Sequence, residues 1–191
     1  MKTFNWSFDK AFRKLLQVIY GFDKWHVSPL SERPYAVDVI DYCNKLRTRN
    51  SFVEIGCGLG DITRNVLFSN RKGYDMEENV LRAARILPAR GNPKPLFDKF
   101  VFPDSRLENK SQVLAMVNWI HHIQPSTLKQ KVEQYFAENV ESGGRIIIDT
   151  VQDPAYKYNH NITELTSSLA CTVERIGSYA RQREVWSIIK S

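Results

Sequence analysis

Apolar residues recur every three or four positions in the first part of the chain and in short continuous runs later on, so two kinds of organisation follow each other. Over residues 8–20, Ala11, Phe12, Leu15, Leu16 and Ile19 stand at helical spacing, and Gly21 offers a stop. The connector "FDKWHVSPLSERPY" follows with two prolines. A second helical run from Pro34 to Leu46 carries Ala36, Ile40 and Cys43 on one face, with Ser31 upstream as a candidate cap. From residue 51 the pattern alternates strands with helices. "SFVEI" reads as a strand, and a helix with Ile62, Val66 and Leu67 on one side is predicted after three glycines. "KGYDM" leads into the helical "EENVLRAARIL", and "SQVLAMVNW" is a nearly continuous apolar strand. "STLKQKVEQYFAENV" steps its apolar residues by four and is predicted to end at Gly143-Gly144, before the buried strand "RIIIDTV". The tail offers "ACTVERIGSYA" and "REVWSII", close enough to pair antiparallel.

Apolar strands separated by helices argue for a largely parallel sheet covered on both faces. Its ligands then belong at the carboxyl ends of the strands. At 191 residues the chain suits one domain, 1–191, with a helical cap over 1–49 and a core over 50–191.

Composition adds little beyond a globular profile, with 42% hydrophobic and 25% charged residues. The run "LLQVIY" is too short to span a membrane, and no small-residue cleavage signature follows it. Cys43, Cys57 and Cys171 are odd in number and far apart, with no CxxC pair. Neither a disulfide framework nor a metal site is expected, and a cytoplasmic setting fits. Without an export signal, "NIT" at Asn161 reads as a chance glycosylation match. The net charge of +6 raises nucleic acid as a partner, but the densest basic cluster is only Lys45, Arg47 and Arg49. A solvated face accounts for it.

Chemistry concentrates in "FVEIGCGLGDITRNV", where Gly56, Gly58 and Gly60 end the first strand. Glycine removes the Cβ, so a ligand can lie against bare main chain. A plain tight turn would need only one. The dinucleotide fingerprint is GxGxxG, whereas the spacing here is GxGxG with Glu54 on the strand. This "ExGxGxG" resembles the first motif of class I S-adenosylmethionine-dependent methyltransferases, and the resemblance continues in order over residues 51–151. It implies an α/β fold, a mostly parallel seven-stranded doubly wound sheet with a C-terminal antiparallel strand and an N-terminal helical extension.

The resemblance also implies S-adenosyl-L-methionine as cofactor, S-adenosyl-L-homocysteine as product, and a set of contacts. Glu54, Gly56, Cys57, Gly58 and Gly60 would form the cofactor turn, with Cys57 also readable as a small packing residue. "GYDMEENVLRAAR" resembles the second motif, so Asp75 would hold the ribose hydroxyls, with Met76 beside it; Asp75 could equally cap the next helix. Asp98 in "LFDKF" is the acid expected at the adenine, with Asp104 as the alternative. "VLAMVNWIHHI" resembles the fourth-strand motif, which would put Asn118 and Trp119 between cofactor and acceptor; it departs from the family at Gln112. Apart from the resemblance, the connector concentrates Trp25, His26, Arg33 and Tyr35, so Arg33 is expected to pair with the cofactor's carboxylate while Trp25, His26 or Tyr35 line the acceptor pocket, or Trp25 and Tyr35 anchor the helices to the sheet.

A sulfonium methyl is already activated, so positioning matters more than acid–base help. If the acceptor is a hydroxyl, His121, His122 or Asp149 are the candidate bases. No Asn/Asp-Pro-Pro-aromatic motif and no cysteine follow strand four, which favours a small-molecule O- or N-acceptor over a nucleic-acid base. An RNA or protein methyltransferase and a non-catalytic cofactor-binding regulator remain as alternatives. A nicotinamide dehydrogenase is disfavoured by the glycine spacing.

Overall fold

A computed structural model describes residues 6–191, so residues 1–5 of the expected cap lie outside the described residues. Strands β1 (Ser51–Ile55), β2 (Asn70–Asp75), β3 (Leu96–Lys99), β4 (Ser111–Met116) and β5 (Val140–Thr150) are all parallel where they pair. The hairpin β6 (Cys171–Tyr179) and β7 (Arg183–Lys190) completes one seven-stranded sheet in the order β3-β2-β1-β4-β5-β7-β6. β7 runs antiparallel to both its neighbours. The expected sheet is therefore present, with β7 as its antiparallel strand.

The apolar runs explain why the sheet is covered twice. β4 is buried along its whole length, and successive residues serve opposite faces. Leu114 and Met116 meet Leu128, Val132 and Phe136 of α4 (Pro125–Glu138) in one core cluster. Val113 and Ala115 join Ala36, Val39, Ile40 and Cys43 of α2 (Pro34–Asn44) in another. The Lys190 ammonium bonds the carbonyls of Ala137 and Val140 at 3.1 and 3.0 Å, satisfying main chain where α4 ends. Helix α3 (Glu78–Ile86) packs against α1 (Trp6–Tyr20), and Leu16 of α1 shares a cluster with Val80 and Ala83.

Four local expectations are corrected. The run after the glycines forms successive turns instead of an α-helix, and Leu67 is exposed. The Thr63 N–H, which a helix would give to the Leu59 carbonyl, goes to the Glu54 carboxylate at 3.0 Å, and the Arg64 guanidinium claims that carbonyl. In α1, Leu15 and Ile19 face outward while Arg13 is buried, because Asp61 pairs with Arg13 from inside. Ser31 lies in a short 3-10 turn and caps nothing; α2 starts at Pro34, whose missing N–H costs nothing there. β5 begins at Val140 and runs through Gly143-Gly144, since Val140 already pairs with Ser111. Asn161 serves the fold, because its side chain accepts the Thr163 N–H at 2.8 Å and caps α5 (Ile162–Thr166). Among the described residues no helix is long and apolar enough to cross a membrane.

Leu114 is fully buried at the middle of the sheet. Leu114→Ala is expected to cost about 2–5 kcal/mol of unfolding free energy, read as a lowered midpoint in urea with unchanged slope.

Candidate active site

β1 lies between β2 and β4, and the chain leaves it in one direction toward β2 and returns from the other through β4. Such a reversal opens a crevice beyond the carboxyl ends of the two central strands. Gly56, Gly58 and Gly60 occupy that crevice with φ of 73°, 54° and 71°. All three are in the left-handed region, which costs glycine nothing and other residues about 1 kcal/mol or more.

Two carboxylates hold this turn. Asp75, the last residue of β2, accepts the Gly58 N–H at 2.7 Å and the Glu77 N–H at 3.1 Å. The second bond is the local turn that lets the chain enter α3. Each oxygen keeps a further lone pair, although Asp75 is only 8% exposed. Glu54 lies beneath the turn, bonded to the Thr63 amide and hydroxyl. Burial pushes its carboxyl up to about 7, against the opposing pull of Thr63. Glu54 thus braces the floor and does not face the crevice.

A third carboxylate gathers charge beside the turn. Asp61, 3% exposed, receives two guanidinium bonds from Arg13 at 2.8 and 2.7 Å and a further one from Arg33, with Arg64 at 3.9 Å. Burial alone would raise the Asp61 carboxyl, but Arg33, Arg13 and Arg64 hold it well below the usual carboxylate range. Asp9 adds a second carboxylate to Arg13 at 3.0 Å. The group keeps a positive excess next to the glycine turn. Arg33 belongs to it and also donates to the Ser28 carbonyl at 2.8 Å.

Three aromatic rings lie against the bare glycines. The Trp119 indole covers Gly56 and donates its N–H to the Ile55 carbonyl at 2.6 Å. His26 lies over Gly58, where a Cβ would come within 2.7 Å of its Nδ1. Phe97 of β3 packs against Gly60 and Gly73. Cys57 sits in the same layer with Phe97, and burial pushes its thiol well up, which suits a packing residue.

Past β4, Asn118 adopts φ 70° and its side chain is exposed. Its N–H bonds Asp149 at 2.7 Å. Asp149 is fully buried, pairs with Arg183, and stands 3.4 Å from His121 Nε2. His121 is 1% exposed, and neither ring nitrogen has a hydrogen-bond partner. Its ring lies 4.6 Å from that of Tyr156, and Arg183 stacks over Tyr35 at 4.6 Å. These groups form the wall beside Asn118.

The structure therefore brings together Gly56, Gly58, Gly60, Asp75, Asn118 and Trp119, with exposed Met76 on the rim. It does not bring Asp98 there. In β3, Asp98 pairs with Tyr74 one residue before the strand end, and Lys72 on the same face holds it at 3.0 Å, toward the amino ends. Asp149 is fully buried, where it accepts the Asn118 N–H and pairs with Arg183. Trp25 is 69% exposed and anchors nothing. Arg13, Asp61, Arg64, Tyr156 and Arg183 escaped the sequence reading. Only Asp61 had a signal, as an acid placed directly after the last glycine of the turn.

No protein-family model matches the chain, and no curated protein matches it. Solved structures do. The N-methyltransferase NodS from Bradyrhizobium japonicum WM9, in complex with S-adenosyl-L-homocysteine, aligns with a TM-score of 0.72 at 11% identity, covering 95% of this chain and 98% of that one. Magnesium protoporphyrin IX methyltransferase ChlM from Synechocystis PCC 6803, with the same ligand, gives 0.66 at 13% identity over 98% and 95%. CalS10 from Micromonospora echinaspora, an amino pentose methyltransferase with bound S-adenosylmethionine, gives 0.65 at 11% over 100% and 99%. The chain has the fold of these methyltransferases.

The buried carboxylates make stability depend on pH and on charge pairing. Glu54 is protonated more readily folded than unfolded, so its contribution is complete below about pH 4.3 and declines as pH rises to about 7. Relative to Glu54→Gln, the wild type should lose stability across that interval in urea melts and stay level above it. Asp61→Asn leaves Arg33 and the buried Arg64 without a carboxylate and Arg13 with Asp9 alone, and should cost about 3 kcal/mol, seen as a lowered thermal midpoint.

Proposed function

We propose that the chain is an S-adenosylmethionine-dependent methyltransferase acting on a small-molecule O- or N-acceptor. The observation that carries this reading is the left-handed glycine turn at the sheet's switch point, with the Asp75 carboxylate beside it. The fold shared with NodS, ChlM and CalS10 supports it.

The main chain of Gly56–Gly60 suits a nucleoside cofactor, and the side chains there divide its parts. The free lone pairs of Asp75 would accept the ribose hydroxyls, and Met76 would lie along the base. The positive excess around Arg33 would attract the carboxylate of the aminoacyl end. Trp119 and His26 now use the space that the glycines leave, so a ligand laid along the turn turns them aside. Once bound, the cofactor supplies a methyl group on sulfonium, already activated for displacement.

The chain's own residues then orient and enclose. Asn118, exposed and fixed through its amide by Asp149, faces the acceptor side. Tyr35, Tyr156 and Arg183 form a wall of rings and one guanidinium whose charge Asp149 already offsets. A neutral or cationic acceptor with a flat polar ring suits that wall better than an anion. NodS and CalS10 are an N-methyltransferase and an amino pentose methyltransferase, which agrees with an amine acceptor. His121, 1% exposed at 3.4 Å from Asp149, lies inside that wall and is as enclosed as Asp149, so neither is assigned as the base and transfer rests on positioning. The three free cysteines support a reducing, cytoplasmic setting.

The rings over Gly56 and Gly58 favour one second reading, a regulator that keeps the fold without turnover. Calorimetry with S-adenosylhomocysteine separates the possibilities. Micromolar binding that Asp75→Ala weakens at least tenfold, about 1.4 kcal/mol, with a Trp emission change absent from Trp119→Phe, is expected. No binding would overturn the cofactor assignment, and binding without methyl transfer to any amine or hydroxyl acceptor would leave the regulator.

A further inference from the structure

The chain passes from β3 to β4 through residues 100–110 without a helix. One face of β1–β3 is therefore left without the cover that α4 gives to β4 and β5. A groove of about 430 Å³ opens on that face, at the amino ends of the strands and away from the glycine turn. Its size falls within the range of small-molecule sites, about 300–1,000 Å³. We propose that this groove is a second ligand site, taking a small flat apolar molecule that carries one carboxylate.

Three observations define that chemistry. Tyr74, Leu96 and Leu107 supply an apolar floor, and Leu96 is 64% exposed. Lys94 and Lys110 stand on the rim, both exposed and without an ion-pair partner among the described residues. The other two basic groups are committed: Lys72 to Asp98 at 3.0 Å and to the Tyr74 ring at 4.9 Å, and Arg71 to the carbonyls of Val66 and Arg90 at 3.0 and 2.6 Å. Glu108 is the acid that lines the groove, and the two free ammoniums outnumber it. Ser111, at the start of β4, lines the groove, is 2% exposed, and has a hydroxyl without a hydrogen-bond partner. Buried hydroxyls are ordinarily satisfied, and an unmet one is costly because it has given up water without a replacement. A carboxylate oxygen reaching Ser111 would satisfy it while the ammoniums balance the charge.

The test uses 2-naphthoate and its neutral analogue 2-naphthol with the full chain, followed by amide chemical shifts. Naphthoate should bind with a Kd below about 1 mM, naphthol at least fivefold more weakly, with shifts at Lys72, Tyr74, Leu96 and Ser111. The double variant Lys94→Glu/Lys110→Glu, at exposed positions, should keep its thermal midpoint and lose naphthoate affinity at least tenfold. Ser111→Ala should lose affinity severalfold. Absence of binding, equal affinity for naphthol, insensitivity to the lysine reversal, or shifts confined to Gly56–Gly60 would each overturn the proposal.

Discussion

The turn from Gly56 to Gly60 holds three left-handed residues in five positions, and hardly any of its main chain belongs to the sheet ladder. Its shape is imposed by carboxylates arriving from outside. Asp75 takes the amide of Gly58, Glu54 takes the amide and hydroxyl of Thr63, and Asp61 anchors the segment to Arg13 and Arg33. The same bonds fix what surrounds the turn: α3 starts beyond Asp75, and α1 and the connector are drawn onto the crevice by Asp61. Each acid is buried, so each bond is made where water cannot compete for it.

Much of this architecture was legible because the strands are short, apolar and separated by helical periodicity. β1, β2, β4 and β5 needed no more than that. The segment after the glycines misled because Ile62, Val66 and Leu67 have helical spacing, while the bonds that break the helix come from Glu54 and from Arg64 folding back. A local pattern carries no information about such partners. Leu15 and Ile19 failed for the same reason, since the buried Arg13–Asp61 pair sets the rotation of α1.

At the candidate site, glycine positions and Asp75 could be read because spacing alone states where a Cβ is missing and where a strand ends. What fills the space beside a glycine could not. Trp119 and His26 lie 63 and 32 positions from the residues they cover (119 − 56 and 58 − 26). Asp98 was misplaced by a matter of register: one position before the strand end, a side chain is captured by Lys72 and never reaches the crevice.

The hairpin at the far side of the sheet has a bearing on biosynthesis. β7 sits between β5 and β6, so β6 reaches the sheet only through a strand made after it. During translation, a nascent chain holding β1 through β5 presents the bare edge of β5, and β6 emerges with nothing to pair with. Only when residues 183–190 leave the ribosome can both strands dock at once. Until that moment the β5 edge is the part of the molecule most open to capture by a chaperone or by a neighbouring chain.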